Sequence, residues 1–518
     1  MRLTVAHRIR ELLLGLCTVL LASACGSAQS YPLAITDRAI ENPYVLHPRD
    51  WPNHLGLPNP LIMRTNAGER WFQIETARGV FSPTFGNLFL PDTGWVDSAT
   101  KNHTELIYTF NTVPRWATRQ SGDGPALSAP YDIDARDEPC MAPIAGETSA
   151  AGNCIWKEWV TALLQKDCGV AAQPEHPLVG RCSIRYFEAW NEFNASNFWN
   201  DSLVHLAKMA NDMASIVRTY CGDCQIIAGS TSAGGTGRAG DDAMGSGKFD
   251  VALGEFLDSW RAQPHPSLPD VVSFHAYPAR TNISLPPFPE TNVSVNDARC
   301  TAANVPNVSC YVAIADQPDR IRQMLSRRPF LPRDIPIWNT ESGWNGNKVL
   351  FHGVDAQGHA DATTWLLRQA FLGRETILLA NKGVAVNLWY EADNQCWGTL
   401  YGLGVAAAPH EMAPCSADPV IPVGLTPAGH ALNTLYQWLH DATFTGPCKS
   451  TGSVWQCPLQ SATIGNAVIA WTTRWSPESD DLGQSFKFAH TLDGETALLG
   501  PAEKPLLESR PRLFNNSR

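Results

Sequence analysis

The stretch Arg185-Tyr-Phe-Glu-Ala-Trp-Asn-Glu192 reads as a β-strand that runs directly into an Asn–Glu pair. Its aromatic residues suit a pleated, buried strand rather than a helix surface. A second stretch, Pro336-Ile-Trp-Asn-Thr-Glu341-Ser-Gly-Trp344, repeats the device. It is a short apolar strand that ends in a glutamate, followed by a glycine that lets the chain turn. In a parallel barrel, functional side chains stand at the carboxyl ends of the strands, and Glu192 and Glu341 both have that address. Strand alternation, if it holds to the end, puts Glu188 and Trp190 on the face of Glu192. One glutamate at a strand end reads as a surface or capping group. Two at one mouth are what glycosidic cleavage requires: one donates a proton to the leaving oxygen, and the other attacks the anomeric carbon or activates water.

Working outward, apolar β-rich runs alternate with amphipathic stretches. The runs are Leu106–Phe110, Arg185–Trp190, Gln225–Ala228, Val271–Phe274, Ile335–Trp338 and Val384–Trp389, with one more near Leu61–Arg64. Leu203–Tyr220, Val251–Arg261, Pro318–Arg327 and Ala362–Ala380 read as the helices between them. Strand, helix, strand in series implies a parallel sheet. The position of the first strand is left open. A last helix over Thr426–His440 opens on Thr426-Pro427, with proline at the favoured first helical position. Beyond it, Ser453–Gln456, Ala467–Arg474, Phe486–His490 and Ala497–Leu499 read as short strands joined by turns. The chain therefore divides into a targeting segment at 1–24, a barrel at 45–442 and an antiparallel β-sandwich at 443–518, which residues 31–44 would join.

The targeting reading rests on Arg2, His7, Arg8 and Arg10 ahead of the apolar run Leu12–Leu21, which ends in Ala22-Ser23-Ala24-Cys25. A positive start, a short apolar run and small residues before a cut describe a signal peptide. Leu21-Ala22-Ser23-Ala24-Cys25 also resembles a bacterial lipobox, so Cys25 is the candidate for a lipid anchor and the expected contact with a membrane. The expected location is periplasmic, cell-surface or extracellular. Twelve cysteines fall into sequential couples: Cys140 and Cys154, Cys168 and Cys182, Cys221 and Cys224, Cys300 and Cys310, Cys396 and Cys415, Cys448 and Cys457. In an oxidising compartment disulfides are their natural fate, although sequence leaves the connectivity open. The net charge of −11, with no long basic run, argues against nucleic acid as a partner. The 18 tryptophans suit both core filling and the stacking of sugar rings on aromatic faces.

Trp190-Asn191-Glu192 and Trp338-Asn-Thr-Glu341-Ser-Gly-Trp344 resemble the two catalytic strands of clan A glycoside hydrolases. Tyr108-Thr-Phe110, Pro114-Arg-Trp116-Ala and the Trp-Asn-Glu that follows are most similar to glycoside hydrolase family 39, over roughly residues 60–440. Phe193 departs from the proline common there. The resemblance implies an α/β fold, a (β/α)8 TIM barrel with a small C-terminal antiparallel β-sandwich. It implies Glu192 as acid/base after strand four and Glu341 as nucleophile on strand seven, with retention of configuration. Two strands lie between the two glutamates and one follows, which closes eight. The resemblance further implies that Asn191 binds the sugar 2-hydroxyl, that His275 lines the site and that Tyr277 holds the nucleophile. Trp389 would be the aromatic floor under the scissile sugar. Arg64 is in a position to hydrogen-bond the carboxylates, and Glu391 is unassigned.

Long stretches at 117–156, 230–250, 279–316 and 391–424 would wall the site. A pocket points to exo-action on oligosaccharides of xylosidase-like or arabinofuranosidase-like type. An endo-acting β-glycanase of the same clan remains the alternative, and a non-catalytic carbohydrate-binding protein is the alternative of another class. The expected substrate is an oligosaccharide or polysaccharide, with no cofactor. No His-x-His or clustered His/Asp signature marks the strand ends, so a metal-dependent hydrolase is set aside.

Overall fold

The computed structural model describes residues 33–37 and 61–517, less 66–69, 84, 86–94, 102, 123–124, 136–139, 142–143, 145–151, 170–181, 234–248, 278–288, 291–312, 344–361, 391, 393–399, 403–422, 475, 484 and 502. The targeting segment, Cys25, the couples Cys300/Cys310 and Cys396/Cys415, Trp344, Glu391 and most of the long loops lie outside the described residues.

Eight strands build one sheet: β1 (Leu33–Asp37), β2 (Leu61–Thr65), β3 (Thr104–Thr109), β4 (Ile184–Glu188), β5 (Gln225–Ile227), β6 (Val272–His275), β7 (Ile337–Ser342) and β8 (Val386–Tyr390). Every pairing is parallel, and neighbours in space are neighbours in the chain, with β8 against β1. The outer strands β5 and β6 meet through the parallel bridges Ile227–Val271 and Ser232–His275. Among the described residues, the helices longer than one turn that accompany the strands are α1 (Trp95–Lys101), α2 (Cys154–Cys168), α3 (Leu203–Tyr220), α4 (Phe249–Arg261), α5 (Gln317–Ser326), α6 (Ala362–Asn381) and α7 (Pro427–Leu439). Parallel strands need such crossovers, because a two-residue turn cannot return the chain to the same end.

Alternation along the strands sorts the core. Ile62, Ile107, Ile227, Val271, Trp338, Val386 and Leu388 form one small apolar cluster. Their neighbours in sequence, such as Leu61, Leu106, Phe187 and Ile226, join the large core shared with the helices. Helix α3 shows why these segments are helical. Its buried face runs through Leu206, Met209, Ala210, Met213, Ile216, Val217 and Tyr220, and Ser202 caps its start by accepting from the His205 N–H. A cap of this kind contributes about 1 kcal/mol. Thr426 caps α7 in the same way, ahead of Pro427.

Strand β1 corrects one expected boundary. It pairs with β2 and β8, so it belongs to the parallel sheet and not with the C-terminal unit.

After α7 the strands are antiparallel: β9 (Ala442–Phe444), β10 (Lys449–Thr451), β11 (Val454–Ser461), β12 (Gly465–Thr472), β13 (Glu478–Ser479), β14 (Phe488–His490), β15 (Thr496–Leu498), β16 (Leu506–Leu507) and β17 (Arg512–Asn515). Seven form one sheet, and β13 pairs with β16 as a separate ribbon. Residues alternate between its faces. Ile469, Trp471 and Leu513 join the core shared with the helices, and Val468, Ala470 and Phe514 pack with Leu482, Phe486 and Leu507. Disulfides join Cys140–Cys154, Cys168–Cys182, Cys221–Cys224 and Cys448–Cys457, as the sequential couples suggest. Among the described residues, no helix is long and apolar enough to cross a membrane.

Candidate active site

Strand β4 ends at Glu188, and the chain then turns sharply. The Ala189 N–H is held by the Ile227 carbonyl and the Ser230 N–H by the Trp190 carbonyl. Gly229 permits this approach, since a Cβ there would meet the Trp190 backbone at 3.1 Å. Glu192 follows with φ of 40°, in the left-handed region that costs a non-glycine residue about 1–3 kcal/mol. The turn ends the alternation, so Trp190 does not share the face of Glu192. It packs instead in the helix-side core, against Trp156 of α2 and Trp199.

Strand β7 reaches the site through an irregular register, which shifts between Phe274 and His275 against β6 and between Asn339 and Ser342 against β8. A bulge re-aims side chains, and here two consecutive residues reach buried groups on other strands. The Thr340 hydroxyl donates to Glu188 Oε1 at 2.8 Å. Glu341 Oε2 accepts from Arg64 Nη1 at 2.8 Å, and its Oε1 accepts from the Tyr277 hydroxyl at 2.6 Å.

Arg64, on β2, is fully buried and donates in three directions: to Glu341, to Glu188 Oε2 at 2.7 Å and to Asn191 Oδ1 at 2.8 Å. Burial acts to lower its pKa, but the charges and hydrogen bonds of Glu188 and Glu341 outweigh it and hold the guanidinium above its ordinary value. Since its oxygen takes the Arg64 proton, the Asn191 amide nitrogen is left to donate elsewhere. Burial, followed by the charge of Glu341, pushes the Tyr277 phenol well above its ordinary value, so it remains a donor through the neutral range.

His275, buried at the end of β6, has Nδ1 2.9 Å from Glu192 Oε1 and 3.8 Å from Glu341 Oε2. A ring nitrogen of His275 and one oxygen each of Glu192 and Glu341 all lie within 4.8 Å of one another. Two carboxylates and an imidazole are ligand types for a divalent ion. Here, however, a guanidinium and a phenol already engage both oxygens of Glu341, an arrangement suited to a carboxylate that acts on its own.

The structure thus brings together Glu192, Glu341, Asn191, His275 and Tyr277. It does not bring Trp389 to them. On β8, Val386 and Leu388 face the small inner cluster, and Trp389 points the other way, buried against Phe371 of α6. The next residue, Tyr390, is the one whose phenol is felt by Tyr277. No motif singles out Tyr390. Counting alternation from Val386 would have found it.

The chain shares its fold with glycoside hydrolases of known structure. A family 39 glycoside hydrolase from the gut symbiont Bacteroides cellulosilyticus WH2 superposes with a TM-score of 0.54 at 14% identity, over 95% of this chain and 81% of that one. The catalytic domain of a family 30 xylanase C from Talaromyces cellulolyticus gives 0.48 at 11% identity, over 94% and 97%. A family 51 arabinofuranosidase from Xanthomonas axonopodis pv. citri gives 0.47 at 9%, over 95% and 94%. No protein-family model and no curated protein matches the chain.

Proposed function

We propose that the chain is an exported, retaining glycoside hydrolase on a closed (β/α)8 barrel, with Glu341 as nucleophile and Glu192 as acid/base. The observation that carries this reading is the unequal setting of the two glutamates within 4.8 Å of one another. Glu341 accepts from a guanidinium and a phenol, which hold its carboxylate in one orientation for attack. Glu192 Oε1 lies 2.9 Å from an imidazole nitrogen of His275 that can donate or accept, which suits a group that gives up a proton and takes one back. Carboxylate oxygens within 4.8 Å of each other support the close spacing of a retaining pair over the roughly 6.5–9.5 Å between carboxyl groups in an inverting one.

In the first step Glu192 gives its proton to the leaving oxygen as the anomeric carbon–oxygen bond breaks and Glu341 bonds to that carbon. Ester formation removes the negative charge of Glu341 that opposed ionisation of Glu192. In the second step Glu192 takes a proton from water, water oxygen bonds to the anomeric carbon, and Glu341 leaves. Asn191, whose oxygen accepts from Arg64, donates its amide N–H to the substrate's 2-hydroxyl. The substrate class is a plant or microbial oligosaccharide cleaved from one end. Export follows from the signal segment at 1–24, with Cys25 as the lipid attachment point.

Two variants test the roles. Glu341→Ala should abolish turnover of every aryl glycoside. Glu192→Ala should keep the first step on nitrophenyl substrates and stall at the second, and azide should restore turnover. Identical behaviour of the two variants with every leaving group would overturn the assignment. Proton NMR of the first-formed anomer decides between retention and inversion.

A further inference from the structure

Glu188 sits beneath the catalytic pair and has no part in the steps above. It is fully buried, and its carboxylate gathers donors from four other strands. Oε2 accepts from Arg64 of β2 and from Thr109 of β3, at 2.7 and 2.8 Å. Oε1 accepts from Thr340 of β7 at 2.8 Å and has Ser273 of β6 at 3.0 Å. Arg64 is thereby shared between two carboxylates, Glu188 and Glu341.

We propose that Glu188 is a positioning residue that limits how much of the Arg64 charge reaches Glu341, keeping that carboxylate reactive while the guanidinium holds it in place. The proposal rests on the reading of Glu341 as nucleophile. A guanidinium devoted to Glu341 alone would stabilise the anion more and make it a poorer attacking group. The other groups that face Glu341 are Tyr277, His275 and Glu192, with Tyr390 of β8 beside Tyr277. Glu188 is tied to Glu341 through Arg64, which donates to both, and through Thr340, which donates to Glu188 and precedes Glu341 in the chain; of the two, only Arg64 carries charge.

The test is Glu188→Gln in the full chain, with kcat/KM of an aryl glycoside followed against pH. The amide oxygen can take the Arg64 and Thr109 donors. Its nitrogen can donate to the hydroxyls of Thr340 and Ser273, and Ser273 has the Ala228 carbonyl as another acceptor at 2.6 Å. The acid limb should move to lower pH by on the order of one unit, and kcat with poor leaving groups should fall about tenfold. Thr109→Val gives the opposite sign. With one donor fewer, Glu188 draws harder on Arg64, and the acid limb should move toward neutral. Glu188→Asp keeps the charge and should leave the limb at its wild-type position even where kcat drops. A limb that stays in place in both Glu188→Gln and Thr109→Val would reduce Glu188 to a structural tie. If Glu188→Gln does not fold, the Thr109→Val profile decides alone. A wild-type chain that hydrolyses no glycoside, or a Glu341→Ala variant that still does, would instead sink the functional reading itself.

Discussion

Tyr277 shows how much a single phenol can control. Its hydroxyl is one of two strong donors to Glu341, and burial keeps it protonated. Tyr277→Phe removes a hydrogen bond to a charged group, a loss of about 1.5–3 kcal/mol. The expected result is a fall in kcat/KM of roughly 10–100-fold, with the acid limb moved toward neutral. Unchanged kinetics would mean that Arg64 alone fixes the carboxylate. Residue types at this scale were readable where chemistry is local. Trp-Asn-Glu and Asn-Thr-Glu each announce a strand that ends in a functional group. Partnerships were less readable. Arg64 meets Glu188 and Glu341 across 124 and 277 residues of sequence, and only the pairing of strands in one sheet brings them together.

Whole strands and helices could be placed more readily than their facing. Val384–Trp389 was recognisable as a strand, but all five residues of β8 are buried, so nothing in its polarity says which ones look inward. The family resemblance named Trp389 for the site, and nothing in the strand's composition named Tyr390. The bulge in β7 has no sequence signal either. Behind that strand, helix α6 carries Glu375, whose carboxyl accepts from the Ser342 hydroxyl. Burial lifts this carboxyl to about 8, with Ser342 partly opposing the rise. Asp167, at the end of α2, is lifted to about 7 by burial against two backbone N–H donors. In both cases the folded chain keeps a proton that the unfolded chain has lost above roughly pH 4. Their effect on stability is therefore least harmful in acid and grows worse as pH rises through 4 to 8. Glu375→Gln should melt with wild type near pH 4 and roughly 2–4 °C above it at pH 8. Equal melting temperatures at both pH values would show that the carboxyl is not held neutral.

The whole molecule is joined across α6. Arg374, fully buried, donates to Glu290 at 2.7 Å and to the carbonyls of Thr472 and Ser509, each at 2.8 Å, the last two in the antiparallel unit. Asn381 and Gln369 of the same helix reach Gly446 and Asp493. Arg374→Ala leaves Glu290 buried without its cation, a change that typically costs about 3–5 kcal/mol. Limited proteolysis should then cut residues 442–517 well before the parallel sheet, and a wild-type cleavage pattern would show that the apolar contact alone holds the unit. The placing of β1 has one more consequence, for how an anchored molecule would stand. If Cys25 carries lipid, the eight residues from Cys25 to the one before Leu33 form the whole tether, at most roughly 30 Å when fully extended. That tether enters the sheet at the amino ends of parallel strands, and both glutamates stand at the carboxyl ends. The bilayer would then face the floor of the molecule, and the mouth would open outward to sugars arriving from the surroundings.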